Sequence, residues 1–293
     1  MDVKRFFRIA SSALVAFIVF VVLAVGSTYW WGGRKLVRTV EVPALQPVAF
    51  PTDAVAIAHG RYLYESRGCM ECHGANGAGK QVFDEANGFR VRAPDITRAN
   101  PAIDKYRPED WDRAIRHGVA PSGRPLLVMP SEDYNRLSNE DFGALVAYVR
   151  SLPPASGQPG DMHLPWFVQG MYGAGVIKDA AEKIDHSLPP APAVTAAVNA
   201  QYGAYVAESC KGCHGAALRG GHIPGAPPDW PPAADLQPGG AMKAYPQADQ
   251  FVTMMRTGKR PDGTDVSRVM PFGAFAKMND TDLNALYLFL TAK

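Results

Sequence analysis

The stretch "RGCMECHG", Arg67 to Gly74, sets two cysteines three positions apart with a histidine directly after the second. The chain has four cysteines, and the other two stand in "SCKGCHG", Ser209 to Gly215, in the same pattern. None is left for a long-range disulfide framework or a free catalytic thiol, so the cysteines act in pairs. Cys69, Cys72 and His73 recur as Cys210, Cys213 and His214, each 141 positions on.

The repeat extends outward from the motif. Upstream, "GRYLYES" (Gly60 to Ser66) answers to "GAYVAES" (Gly203 to Ser209), with two extra residues in the first copy. Downstream, Arg116 and Gly118 answer to Arg256 and Gly258, and "VMP" at Val128 to Pro130 recurs at Val269 to Pro271. The last segments align as "LSNEDFGALVAYVRSL" with "MNDTDLNALYLFLTAK". In each copy the pattern predicts a helix before the motif, a short helix near Pro108 to His117 or Gln247 to Thr257, and a final helix. Ser138 and Asn279 stand at N-cap positions, with Asp141 and Asp282 as imperfect capping-box partners. Phe142, Leu145, Val146 and Val149, like Leu283, Leu286, Tyr287 and Leu290, fall at helical spacing. The fold class is mostly α, with two duplicated domains.

Composition shifts set the expected boundaries: anchor 1–33, tether 34–51, first domain 52–152, linker 153–193 and second domain 194–293. Each domain is about 100 residues, a size one core supports. The linker, between "LPPASGQPG" and "LPPAPAV", is partly apolar and is expected to pack across the domains. The chain is 47% hydrophobic, and thirty basic residues oppose 28 acidic ones. That leaves no excess of positive charge suited to nucleic acid. Lys4, Arg5 and Arg8 precede a run from Ile9 to Gly33 without a charge, 25 residues long. This is enough helix to cross a bilayer and, by the positive-inside tendency, sends the rest of the chain to the periplasmic side. A cleaved signal peptide competes, since the strictly apolar core is only Ala13 to Val25 and Ala24 and Gly26 are small. Tyr29, Trp30 and Trp31 at the far end suit an interface belt and favour an uncleaved anchor.

Several chemistries use a CxxC pair. A dithiol redox site sits in a βαβ context and needs no histidine, and a zinc site would have to join pairs from separate domains. Covalent haem attachment uses all three residues: two thiols for thioethers and the adjacent imidazole for the iron. The expected cofactors are therefore two haem c groups, bound by Cys69 and Cys72 and by Cys210 and Cys213, with His73 and His214 on the metals. Met129 and Met270 are the expected second ligands, because each stands 56 positions after its histidine. The offsets between the copies drift along the chain and realign at these methionines. His59, His117, His163, His186 and His222 have no histidine counterpart and read as surface or linker residues. Trp111 and Trp166 read as apolar filler, and Tyr62 and Tyr205 as packing between first and last helices.

With these residues the chain resembles a membrane-anchored dihaem c-type cytochrome of two tandem class I domains, carried by "CMECH" and "CKGCH" and the two "VMP" segments. The layout is similar to cytochrome subunits of periplasmic dehydrogenases, some with three haems, where this chain has two motifs. The resemblance implies electron transfer, not substrate chemistry, between a dehydrogenase donor and a cytochrome or oxidase acceptor in a respiratory chain. A dihaem peroxidase is the rival and would need one open haem position. A sulfur-oxidising haem enzyme with a cysteine ligand has no cysteine left to use.

Overall fold

The computed structural model describes residues 3–223, 226 and 230–292, excepting the side chains of residues 3, 5 and 6. Arg5 of the basic cluster and the chain ends 1, 2 and 293 of the expected anchor and second domain thus lie outside the described side chains or residues.

The protein is mostly helical. Helix α1 (Val3–Leu36) runs beyond the expected anchor end. At 34 residues it is ~51 Å long, more than a hydrocarbon core requires. Phe17 and Phe20 on it are over 60% exposed. The first domain contains α2 (Ala54–Ser66), α3 (Cys69–His73), strands β1 (Gln81–Asp84) and β2 (Arg90–Arg92), α4 (Pro101–Asp104), α5 (Pro108–His117) and α6 (Asn139–Ser151). Strand β3 (Asp161–His163), α7 (Trp166–Gly173) and α8 (Ala180–Lys183) follow in the linker. The second domain contains α9 (Ala200–Val206), α10 (Lys211–His214), α11 (Ala248–Thr257), α12 (Phe272–Phe275) and α13 (Asp280–Thr291).

In each domain the first and last helices cross, and a glycine explains why the sequence repeats there. A Cβ on Gly60 would stand 2.0 Å from the Ala144 carbonyl oxygen, and one on Gly203 would stand 1.9 Å from that of Ala285. Only glycine lets the backbones meet so closely. Around the crossings lie Leu63, Tyr64, Trp111, Phe142, Leu145 and Val149 in one core, and Val206, Phe251, Leu283, Leu286 and Leu290 in the other. Each such side chain contributes about 1.5–3 kcal/mol on burial. Both short helices α5 and α11 stop at a left-handed glycine, Gly118 (φ 65°) and Gly258 (φ 71°).

The linker packs on the folded part of the chain, as expected of a partly apolar segment. It lies against the first domain and α1. Strand β3 extends the β1–β2 hairpin antiparallel, pairing Val91 with Met162. Ala180 is buried where a Cβ on Gly118 would stand 2.6 Å from its own. The His186 ring stacks on that of His117, with Nδ1 atoms 2.9 Å apart. Trp166 is 64% exposed, so it fills no core. The tether also packs: Val40 N–H donates to Gly123 O at 2.9 Å, and Phe50 lies on Phe142.

The two domains meet directly through a pseudo-twofold seam built on the starts of their last helices. Ser138 and Asn279 cap as expected, accepting from the N–H of Asp141 (3.1 Å) and Asp282 (2.8 Å). In a complete capping box the acid would return a bond to the cap N–H. Here a tyrosine of the other domain takes that place. Tyr205 OH accepts from Ser138 N–H at 3.1 Å and donates to Asp141 Oδ2 at 2.5 Å. Reciprocally, Tyr62 OH accepts from Asn279 N–H at 3.1 Å and donates to Asp282 Oδ2 at 2.7 Å. The remaining oxygen of each acid bonds its own domain: His59 Nε2 meets Asp141 Oδ1 at 2.6 Å and Tyr202 OH meets Asp282 Oδ1 at 2.7 Å. His59, expected at a free surface, is therefore the positional equivalent of Tyr202.

Candidate functional site

The first cysteine motif forms the short helix α3, and in the second Cys210 ends a 3-10 turn (Ala207–Cys210) that runs into α10, each at the edge of its own core. Cys69 packs on the first core together with Met129, and Cys210 on the second together with Met270. The predicted Cys and Met of each repeat thus share one core. Cys69, Cys72 and Cys210 are half-buried and Cys213 is exposed.

Both histidines are aimed by a backbone carbonyl. His73 Nδ1 lies 3.1 Å from Pro94 O, and His214 Nδ1 lies 2.8 Å from Ala234 O. A carbonyl only accepts, so Nδ1 carries the proton and Nε2 keeps its lone pair for a metal. Burial holds both imidazoles below the usual histidine range, against the pull of the carbonyl. These carbonyls precede Asp95 and Asp235. The aspartates bond the loop and not a site: Asp95 accepts from Thr97 N–H (2.7 Å) and Gly157 N–H (3.2 Å), and Asp235 from Gln237 N–H (2.9 Å).

Burial pushes the Cys69 and Cys210 thiols up to about 12 and that of Cys213 to about 11. Among the described residues no three His, Cys, Asp or Glu side chains cluster in a way that would hold a metal ion. The motif is braced from behind: Tyr64 OH donates to Gly74 O at 2.6 Å and Tyr134 OH to Arg67 O at 2.8 Å.

The methionine loops have matching backbones, with Pro130 at φ −81°, ψ 61° and Pro271 at φ −79°, ψ 69°. Each proline opens a helical turn that touches the other domain's motif. Asp133 Oδ1 accepts from Gly212 N–H at 2.8 Å, inside "CKGCH". In the mirror contact, Glu71 Oε1 of "CMECH" lies 2.6 Å from where a Cβ on Gly273 would stand. Acid and glycine have exchanged sides. Burial, reinforced by Glu132, raises the Asp133 carboxyl to about 7, while Gly212 N–H and Lys183 oppose this. Arg67, one of the two extra residues of the first copy, crosses the seam to Asp282 Oδ2 at 2.8 Å. Burial disfavours its charge, but Asp282, with Tyr62 and Tyr202, more than restores it. Its charge is felt by both Cys69 and Cys210.

The first core also fits a cofactor bearing a carboxylate. Trp111 is 5% exposed, and its indole N–H has no partner among the described residues. A buried donor needs an acceptor, and a haem propionate is of the right chemistry. Sequence reasoning missed the carbonyls of Pro94 and Ala234, His59, Arg67 and the Asp133–Gly212 contact. For His59, aligning it with Tyr202 would have been the signal.

Residues 55–149 match the family described as cytochrome C oxidase, cbb3-type, subunit III, and residues 200–292 match cytochrome c. A fructose dehydrogenase cytochrome subunit from Gluconobacter japonicus is 29% identical over 152 residues, 48% of this chain and 31% of the relative. A gluconate 2-dehydrogenase cytochrome c subunit from Pantoea cypripedii is 33% identical over 120 residues, 38% of this chain and 26% of the relative. The cytochrome c subunit of an alcohol dehydrogenase (quinone) from Gluconacetobacter polyoxogenes is 24% identical over 150 residues, 48% and 31%. The chain thus spans less than a third of the length of these curated relatives.

Proposed function

We propose that this chain, which carries two cytochrome c domains and is distantly homologous to cytochrome c subunits of dehydrogenases, relays electrons from a dehydrogenase to a cytochrome or oxidase of a respiratory chain. The two domains with their CxxC motifs imply two haem c groups. Cys69 and Cys72 hold one by thioethers and Cys210 and Cys213 the other. His73 with Met129, and His214 with Met270, would hold the two irons. Helix α1, long and apolar enough to cross a membrane, stays as a single-pass anchor in the cytoplasmic membrane, with both domains on the periplasmic side.

Haem c would supply reversible one-electron exchange, and a histidine and a methionine holding each iron would leave no position for oxygen or peroxide. The observation that carries the reading is the equivalence of the sites: in both cores a cysteine and a methionine pack together beside a carbonyl-aimed histidine. The seam supports a relay between the domains, because each methionine loop rests on the other domain's motif.

Redox titration of the haem-loaded full chain is expected to give two one-electron couples, and gentle solubilisation of the membrane to bring a dehydrogenase along. Peroxide turnover by the half-reduced protein would overturn the relay in favour of a peroxidase.

A further inference from the structure

We propose that the linker helix α7 docks into the lipid headgroup region, completing with the end of α1 one aromatic belt drawn from two distant parts of the chain. This goes beyond the relay and rests on the retention of α1 proposed above.

The depth of α7 is set by its crossing with α1. A Cβ on Gly173 would stand 1.9 Å from Thr28 O, and one on Gly32 would stand 2.0 Å from Gln169 O. Small residues at the crossing let the two backbones touch, as between helices in membranes. The Gln169 amide donates to Tyr29 O at 2.9 Å and fixes the register. Residues Gln169 to Gly173 of α7 therefore lie level with Thr28 to Gly33, where the uncharged run of α1 ends.

Charge marks the watery side of that level. Just beyond the crossing, Lys35 pairs with Glu182 at 2.8 Å and Arg38 with Asp179 at 2.6 Å. Asp179 is fully buried and also accepts from Tyr172 OH. These pairs tie the linker to Lys35 at the end of α1 and to Arg38 just after it, on the side away from the apolar run.

At this level the linker turns large apolar side chains outward. Trp166 is 64%, Phe167 37% and Val176 58% exposed, and on α1 Tyr29, Trp30 and Trp31 are 45%, 60% and 55% exposed. Trp166 and Phe167 meet edge to face, 6.0 Å apart. Exposed aromatics grouped on neighbouring helices mark a docking surface. Continuity with a membrane-length helix identifies its occupant as the boundary where tryptophan is enriched. Because β3 and α8 fasten the linker to the first domain, a second contact on the bilayer holds that domain at a fixed attitude to it.

The test uses the full haem-loaded chain in phosphatidylethanolamine and phosphatidylglycerol vesicles doped with a lipid photoactivatable near the top of its acyl chain. Adducts, mapped by peptide mass spectrometry, are expected on residues 166–176 as well as on α1. In the double variant Trp166→Glu, Phe167→Glu, labelling of 166–176 is expected to fall to the level of the exposed loop 259–265, with the haem spectra unchanged. Adducts on α1 with none on 166–176 would overturn the proposal while sparing the anchor. Absence of α1 from the mature chain would overturn both. Crosslinking of 166–176 to a membrane protein in native membranes, without lipid adducts in vesicles, would replace the lipid by a protein partner.

Discussion

In the first domain Asp141 receives the half-exposed imidazole of His59, whereas in the second the equivalent Asp282 is fully buried and receives the hydroxyl of Tyr202 and the guanidinium of Arg67. The geometry is nearly the same, but the dielectric surroundings are not. One half of the seam is a soft, titratable contact, and the other is a buried ion pair. Duplication thus preserved where atoms meet while letting what they are diverge.

Breaking the buried half should have the largest effect. Asp282→Ala strands Arg67 without its counter-charge and is expected to cost about 3–5 kcal/mol, against about 1 kcal/mol for Asp141→Ala. Paired denaturant titrations measure the difference, and equal losses would contradict the asymmetry.

Arg67 sharpens the comparison differently, since its charge reaches both motifs. A cation beside a centre favours the reduced form. Arg67→Gln is expected to lower both midpoint potentials by tens of millivolts, where ~59 mV is a tenfold change in a one-electron equilibrium. Spectroelectrochemical titration that shows only one couple moving would confine the influence of Arg67 to one site.

Trp111 separates the domains most plainly, because Phe251 occupies the matching place in the second core without an N–H to donate. Trp111→Phe is expected to lower the first potential by a few tens of millivolts, on the same ~59 mV scale, and to leave the second in place. A shift in both couples would mean that the indole acts through the seam.

The smallest effect is a pH dependence. The Asp141 carboxylate raises the His59 pKa by their hydrogen bond, against burial. Its stabilisation is fully present below the ordinary histidine value of ~6.5 and is lost as pH rises through the higher folded value. Burial opposes but the bonds from His59 and Tyr205 depress the Asp141 pKa. The carboxylate's share is present above ~3.9 and is lost as pH falls. With His59 well exposed, the whole is a few tenths of a kcal/mol. His59→Tyr, which copies the second domain, should abolish the alkaline part of the loss in a stability–pH profile.

Much of this molecule was legible before its structure. The apolar spacing of Phe142, Leu145 and Val149 forecast a buried helix face, and Ser138 and Asn279 cap where expected, because both signals depend on neighbours within a turn or two. The cysteine motifs were legible because the chemistry demands a fixed local order. The seam was not, since Tyr62 and Asp282 are 220 positions apart and their pairing is written in no local pattern. His59 seemed partnerless because the repeat put a tyrosine opposite it, and Arg67 looked like mere extra length. Trp166 misled because an apolar residue in a linker reads as core until the neighbouring helix is known to end there.

The ferric spectra of the single variants Met129→Ala and Met270→Ala test the pairing of one histidine and one methionine per centre most directly. Each replacement should convert one of the two low-spin centres, leave the other intact, and lower the affected potential on the order of 0.1 V within the ~0.8 V that axial ligation commands. Spectra in which neither replacement changes either centre would contradict the assignment.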